Sequence, residues 1–189
     1  VPAGASRGDA WRLVADTHAR LLDAIRQQPG VASAGSANFL PLAVGWRNPF
    51  RVDGQPAPPR IEDLPQAQMH SVSDGYFEAM GIPIVRGRGF EQPDAGGGRN
   101  VAIVNQAFAD RYWPGLDPIG RRIRQGSEWL SVVGITQTGK YSDLTEAPLP
   151  VVYRVLGEGR DFLLTTHVRI TRPSREMVPP LRAAFAEVG

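Results

Sequence analysis

The chain has 189 residues, a formal net charge of +2 and no cysteine. This length suits one medium domain or two small interleaved lobes, and the lack of cysteine excludes disulfides, thiolate catalysis and cysteine-ligated metals. The cations are nearly all arginine, with Lys140 the only lysine, and so small a net charge does not indicate a nucleic-acid-binding protein.

The sequence contains no pattern of a targeting or membrane-spanning segment. The first residues lack the basic start and apolar block of a signal peptide. The longest uncharged run, residues 27–46, is interrupted by prolines, glycines and polar residues, so we do not expect it to cross ~30 Å of hydrocarbon.

The first part of the chain predicts a helix followed by a strand. Apolar residues at helical spacing run from Asp9 to about Gln28. The predicted apolar stripe is Leu13, Val14, Thr17, Leu21, Ala24 and Ile25. Pro29-Gly30 ends the helix, and the small residues of Val31–Phe39 predict a strand packed tightly under it.

Residues 47–73 predict two strands with a surface segment between them. Arg47–Asp53 is expected to be a strand with Phe50 and Val52 on one side. The proline-rich segment Gln55–Pro65 is expected on the surface, and Gln66–Ser73 is expected to be the second strand.

Ser71–Phe90 is the stretch around which the chain is organised. Ser73 or Asp74 is predicted to cap a short helix, Gly81 to adopt the left-handed conformation just past its end, and residues 82–90 to return as a strand. One face of this helix is predicted to carry Tyr76, Phe77 and Met80.

Residues 91–156 predict a strand-rich region. The glycine-rich loop 91–100 is a predicted boundary, followed by a strand to Asn105, which caps a helix ending near Trp113. A hairpin across Gly126-Ser127 and a strand at Val151–Leu156 complete this region.

After a second boundary at residues 157–160, the pattern predicts a strand over Phe162–Thr171 and a terminal helix. Ser174 is expected to cap this helix, and Pro179-Pro180 to delay its regular part to Pro180. We therefore predict an α+β fold with two lobes, one formed by residues 1–90 and 157–189 and the other by the inserted residues 91–156.

Nothing in the sequence indicates catalysis or a bound cofactor. His18, His70 and His167 have no ligand spacing, so we interpret them as structural or solvated and predict no catalytic, cofactor or metal site. Gly96-Gly97-Gly98 lacks the ending of a phosphate-binding loop. No nucleophile elbow is present.

Two further groups of residues are candidates for partner surfaces. Arg121, Arg122 and Arg124 could meet an anionic headgroup or an acidic partner, but a strand places Arg121 opposite the other two, which favours an ordinary charged exterior. Tyr112-Trp113 is expected to pack on its own lobe rather than anchor a partner. No partner-binding residue is assigned.

Four segments in this order resemble the MacB-like periplasmic core domain of ABC-transporter permeases. They are Ser73-Asp-Gly-Tyr-Phe-Glu-Ala-Met-Gly-Ile, Arg86-Gly-Arg-Gly-Phe, Val101-Ala-Ile-Val-Asn-Gln-Ala-Phe-Ala and Tyr112-Trp-Pro-Gly-Leu-Asp-Pro-Ile-Gly-Arg-Arg-Ile, followed by residues 129–135 and 150–153. The resemblance covers nearly the whole chain. One departure is the absence of the strand that family members carry before the first helix.

The resemblance implies a non-enzymatic domain on the extracytoplasmic, periplasmic face of the cell membrane, with a porter-like lobe formed by both chain ends. Its implied partners are its own transmembrane helices, cytoplasmic ABC ATPase subunits, a second copy in the full transporter and a periplasmic adaptor. It implies transmission of ATP-driven motion and no cofactor, and the isolated domain is expected to be a monomer.

Two other classes of function remain open from the sequence. One is a ligand-binding module that captures a lipid or peptide in a deep apolar cleft between the lobes. The other is a hydrolase, which would require converging catalytic groups.

Overall fold

The computed structural model describes residues 7–40, 47–56, 58–94, 100–141, 144–156 and 164–188. The helices are α1 (Arg7–Arg26), α2 (Tyr76–Met80), α3 (Gln106–Tyr112) and α4 (Ser174–Val188), with 3-10 turns at Ile61–Asp63 and Gln92–Asp94. The strands are β1 (Val31–Ala37), β2 (Arg47–Pro49), β3 (Arg51–Val52), β4 (Gln66–Val72), β5 (Ile84–Gly87), β6 (Val101–Asn105), β7 (Arg122–Gln125), β8 (Glu128–Thr136), β9 (Val151–Val155) and β10 (Thr165–Ile170).

These strands form one mixed sheet in the order β10-β1-β4-β9-β6-β8-β7-β3, with β2 also paired to β4 and β5 to β8. The β4–β9 and β6–β8 pairs are parallel and the others antiparallel. The predicted α+β class is confirmed. The β4–β9 pairing carries the sheet across the predicted lobe boundaries at residues 91 and 156, and the division into two lobes stays a prediction.

Helices cover both faces of the sheet. α1 and α4 pack on β1 and β10 through a cluster that contains Leu22, Ile25 and Ala184. α3 packs over β6 and β8 on this same face. The side chains of β4 identify the two faces, since Met69 lies in the apolar cluster that contains α3, whereas Val72, three residues later, lies in the cluster on the opposite face. α2 lies on that opposite face, where it can rest on β1 because a Cβ at Gly35 would lie 2.4 Å from the Tyr76 nitrogen.

The predicted apolar stripe of α1 is wrong in its first half. Leu13 and Val14 are 46% and 44% exposed, whereas Leu22, outside that stripe, is 2% exposed. A 20-residue helix is about 30 Å long and the seven residues of β1 extend about 23 Å. The part of α1 that carries Leu13 and Val14 therefore overhangs the sheet, which leaves these two side chains exposed.

The starts of α2 and α4 show where side-chain capping and proline arguments failed. α2 begins after Gly75, which is in the left-handed conformation and makes no side-chain cap, so neither Ser73 nor Asp74 caps it. α4 is helical from Ser174, with both prolines inside it, and not only from Pro180. The predicted strand over 47–53 divides at Phe50, and the return strand is limited to β5.

Several local predictions are confirmed. Gly81 ends α2 at a φ of +68°. The Asn105 side chain caps α3 by accepting from the Phe108 amide, and β7 and β8 form the hairpin across residues 126–127. Phe50 and Val52 are both buried, as expected of one side of a strand.

Candidate functional site

The histidines do not converge on a reactive centre. His70 on β4 is 2% exposed, lies 3.6 Å from the Phe39 ring between centroids, and has its Nε2 3.3 Å from Gln68 Oε1. Desolvation lowers the pKa of His70 to about 3, so the ring is neutral at physiological pH. Across the described parts of the chain, no group of three or more His, Asp or Glu side chains could hold a metal ion.

His18 and Ser36 form a contact that resembles a base and nucleophile but lies in the core. His18 Nε2 is 2.8 Å from Ser36 Oγ, which is also 3.0 Å from Thr166 Oγ1. Ser36 is completely buried, so no substrate carbonyl can reach its hydroxyl. Burial also lowers the pKa of His18. The contact instead joins α1 to β1 and β10.

Arg26, the last residue of α1, fastens this helix to two other elements. Its Nε and Nη2 donate to the Ala34 carbonyl of β1 at 3.1 and 2.9 Å. Nη1 pairs with Asp74 Oδ2 at 3.1 Å, and Nη2 donates to the Asp74 carbonyl at 3.0 Å. One guanidinium therefore holds together the end of α1, the middle of β1 and the entrance to α2.

The two terminal helices lie side by side and run in opposite directions. β1 and β10 are antiparallel with Val31 opposite Ile170, so α1 ends where α4 begins. The Thr171 amide donates to the Gly30 carbonyl at 2.8 Å, and a Cβ at Gly30 would meet the Met177 side chain of α4. The start of α1 and the end of α4 therefore project toward the same end of the domain.

A buried polar network joins β6, β9 and the loop before β9. Asn105 Oδ1 accepts from the Phe108 and Val151 amides, both at 3.0 Å, and its Nδ2 donates to the Leu149 carbonyl at 2.7 Å. Nearby, the Tyr153 and Tyr141 hydroxyls are 3.0 Å apart, and burial raises the pKa of Tyr153 far above its usual range. These contacts are internal and suit a rigid core.

A groove of about 360 Å³ lies between α3, β5 and the loop 115–118. Four of its lining side chains are charged or carry an amide, namely Arg86, Gln106, Asp110 and Asp117. Trp113 contributes to its lining but is 3% exposed and packs on Phe108. Trp113 therefore packs within the domain as expected, but the Tyr112 ring lies 5.0 Å from that of Phe50, outside the predicted lobe 91–156.

The basic cluster divides as strand geometry predicts. Ile123 is buried in the core, so Arg122 and Arg124 lie on the other face of β7. Arg121, before the strand, donates to the Asp117 carbonyl at 2.7 Å. The glycine run at residues 96–98 lies outside the described residues.

None of the described helices is both long enough and apolar enough to cross a membrane. A family model for the MacB-like periplasmic core domain matches residues 3–173. The chain belongs to this family. The resemblance drawn from the four sequence segments is therefore confirmed, and the chain is an extracytoplasmic type of domain found in ABC-transporter permeases.

Curated relatives of this MacB-like domain are much longer proteins. It is 26% identical over 129 residues to a probable syringafactin export ATP-binding/permease protein of Pseudomonas syringae, covering 64% of this chain and 19% of the relative. It is 24% identical over 110 residues to the macrolide export ATP-binding/permease protein MacB of Neisseria gonorrhoeae, covering 54% and 17%. The chain thus spans less than a fifth of their length.

Solved structures share the fold of this MacB-like domain. The periplasmic region of MacB from Actinobacillus actinomycetemcomitans superposes with a TM-score of 0.60 at 13% identity, covering 89% of this chain and 72% of that one. The extracellular domain of the noncanonic ABC-type transporter YknZ from Gram-positive bacteria gives a TM-score of 0.57 at 14% identity, covering 88% and 82%.

Sequence reasoning missed the residues that hold the MacB-like domain together across long separations. Arg26 and Asp74 are 48 positions apart, and His18 and Ser36 are 18 apart. Hydrophobic periodicity carries no information about such polar pairs. The one available signal was Asp74, which lies within the segment Ser71–Phe90 and was assigned only a capping role.

Proposed function

We propose that this domain transmits ATP-driven motion from an ABC-transporter permease to a substrate or a periplasmic partner. The observation that carries the proposal is the antiparallel pair α1 and α4, both of which project toward one end of the domain. In a permease, that end would continue into transmembrane helices. Movement of those helices would then reach the domain at one place.

For motion to be transmitted, the terminal helices must move the sheet rather than slide on it. Arg26 supports this requirement because it binds β1 and Asp74 at the same time as it ends α1. His18, Ser36 and Thr166 add a second polar connection on the same face. The charge-assisted hydrogen bonds of Arg26 are stronger than neutral ones and so favour one fixed arrangement of α1 on β1.

The proposal assigns the ATPase, the transmembrane helices, a second permease copy and a periplasmic adaptor to the full transporter. It assigns no chemical reaction to this domain. The continuous sheet would make the two predicted lobes move together as one rigid unit. One lobe is formed by residues 1–90 and 157–189, and the other by residues 91–156.

The test uses spin labels on the full-length permease in nanodiscs. Ser127, in the exposed turn between β7 and β8, is replaced by cysteine in a protein whose domain contains no natural cysteine. The distance between the two labelled copies is expected to change between the nucleotide-free state and a state held with a non-hydrolysable ATP analogue. An identical distance distribution in both states would contradict the proposal.

A variant of Arg26 makes this test more specific. Arg26→Gln removes the ion pair with Asp74 and is expected to broaden or reduce the nucleotide-dependent shift at Ser127. Arg60→Gln is the matched control, because Arg60 pairs only locally with Glu62 and Asp63 on the surface. The control is expected to shift as the parent does.

Capture of a lipid or peptide between the lobes is the second candidate. The groove between α3, β5 and the loop 115–118 supports ligand capture less well than the pair of α1 and α4 supports the transmission of motion. Its lining includes Arg86 paired with Asp117 at 2.9 Å, and Gln106 and Asp110 place two more polar side chains among its apolar residues. A lipid-binding cleft would be expected to be mainly apolar.

A further inference from the structure

The outer face of the strands at the β3 edge of the sheet carries an unusual concentration of positive charge. Arg51 on β3 is directly opposite Arg124 on β7, and Arg124 is directly opposite Trp129 on β8. Val52 and Ile123, the neighbours of the two arginines, are buried in the core, so both arginines lie on the other face. Arg122 shares that face. We call Arg51, Arg122, Arg124 and Trp129 the basic face.

The arginines on the basic face are incompletely neutralised. Arg122 pairs with Asp53 at 2.7 Å, whereas Arg124 donates its Nε only to the Gly126 carbonyl. In the described parts of the chain, Arg51 has no carboxylate partner. Like charges directly opposite each other on neighbouring strands destabilise a sheet. This arrangement is therefore not explained by stability.

Trp129 gives the basic face a flat aromatic centre. The guanidinium carbons of Arg122 and Arg124 lie 5.1 and 5.9 Å from the indole centroid. A guanidinium group close to an indole face can still donate in its own plane to the two oxygens of a carboxylate. The surface thus combines fixed donors with an apolar platform.

We propose that the basic face is a docking surface for an acidic, extended segment of a partner protein. Charge complementarity favours carboxylates, and the regular spacing of opposite residues on adjacent strands suits alternate side chains of an extended segment. The array of opposite residues on β3, β7 and β8 suits an extended chain better than a single lipid headgroup. A protein segment is thus favoured over the bilayer, a choice of occupant that rests on the proposed function.

The experiment measures binding of a fluorescein-labelled decapeptide of alternating glutamate and threonine to the 189-residue chain at low ionic strength. The same peptide with glutamine in place of glutamate is the probe control. We expect the acidic peptide to bind, to shift the indole resonance of Trp129 in a ¹H–¹⁵N spectrum, and to be released by salt. Equal binding of the two peptides would overturn the proposal.

Variants separate the basic face from general attraction to a cationic protein. Arg51→Gln combined with Arg124→Gln is expected to weaken binding about tenfold or more, because charge-assisted hydrogen bonds are lost. Arg182→Gln, which removes an exposed charge on α4, is expected to leave affinity within about twofold. Equal weakening by both changes would overturn the proposal.

Two further measurements test whether the variant is folded and whether a bilayer competes for the basic face. The Arg51→Gln and Arg124→Gln chain is expected to melt no lower than the parent, since a repulsive pair is removed. Vesicles of phosphatidylcholine and phosphatidylglycerol are expected not to displace the peptide, and displacement would make the bilayer the occupant and contradict the proposal. None of these readouts involves ATP-driven motion, so a negative result would leave the mechanical proposal standing.

Discussion

Arg88 and Asp94 form a two-pronged ion pair in which the carboxylate is completely buried. Arg88 Nη1 is 2.6 Å from Asp94 Oδ2, and Nη2 is 3.1 Å from Oδ1. The Glu91 amide also donates to Asp94 Oδ2 at 3.0 Å. The hydrogen bond to Asp94 raises the pKa of Arg88. This pair fixes the chain between β5 and the 3-10 turn at Gln92–Asp94.

Arg88→Met is therefore expected to destabilise the domain by about 3 kcal/mol, because it leaves a buried carboxylate without its cation. Arg60→Met is the matched control. Its pairs with Glu62 and Asp63 are on the surface, so a loss below about 1 kcal/mol is expected. Urea unfolding measures both, and equal losses would show that the Arg88–Asp94 pair has no special role.

His70 makes the stability of the domain depend on pH. Its native pKa of about 3 is below the unfolded value of 6.5, so the unfolded chain binds more protons between these pH values. The contribution of neutral His70 is complete above pH 6.5 and is lost as pH falls toward 3. A loss of roughly 3 kcal/mol is expected between pH 7 and 4.

His70→Gln is expected to flatten this pH dependence by nearly one proton, measured as the slope of unfolding free energy against pH. His167→Gln is the comparison, since His167 is less buried than His70 and desolvation also lowers its pKa. It should flatten the slope less. An unchanged slope in His70→Gln would contradict the account of His70.

Asn105 is expected to be the most sensitive polar position of the core. Asn105→Ala removes the cap of α3 and leaves the Val151 amide and Leu149 carbonyl without their partner. A loss of roughly 3 kcal/mol or more in thermal or urea unfolding is expected. Gln106→Ala, next in the chain, loses an exposed bond to Asp110 and should cost less than about 1 kcal/mol.

Two substitutions in α1 test how this helix packs on the sheet. Leu22→Ala is expected to destabilise by about 3 kcal/mol, since Leu22 is 2% exposed between α1, α4 and the sheet. Leu13→Ala should change stability by no more than about 0.5 kcal/mol, because Leu13 lies on the overhanging turns. A larger loss of stability for Leu13→Ala than for Leu22→Ala would instead support the apolar stripe expected from the sequence.

Local structure could be predicted where the deciding atoms are close in sequence. Gly81 ends α2 and Asn105 caps α3 through contacts within a few residues. The hairpin across residues 126–127 is equally local. Each of these signals depends on the chemistry of one or two side chains, so one sequence is enough to read them.

Long-range structure could not be predicted in the same way. The parallel pairing of β4 with β9 joins residues more than 80 positions apart, and no residue pattern specifies that partner. Whether Leu13 or Leu22 is buried depends on how far the sheet extends under α1. The functional family was predicted from the order of its segments, whereas the basic face required Arg51 to be placed beside Arg124.

The most direct measurement of the central claim is the distance between the free end of α4 and the middle of α1, beside which an antiparallel α4 ends. Asp16 and Glu187, both exposed, are replaced by cysteine in this cysteine-free chain and spin labelled. The account predicts a separation close to one helix–helix spacing of about 8–10 Å plus the label linkers. A separation longer by about 15 Å or more, the distance along α1 from Asp16 to Arg26, would place the end of α4 away from this part of α1 and contradict the account.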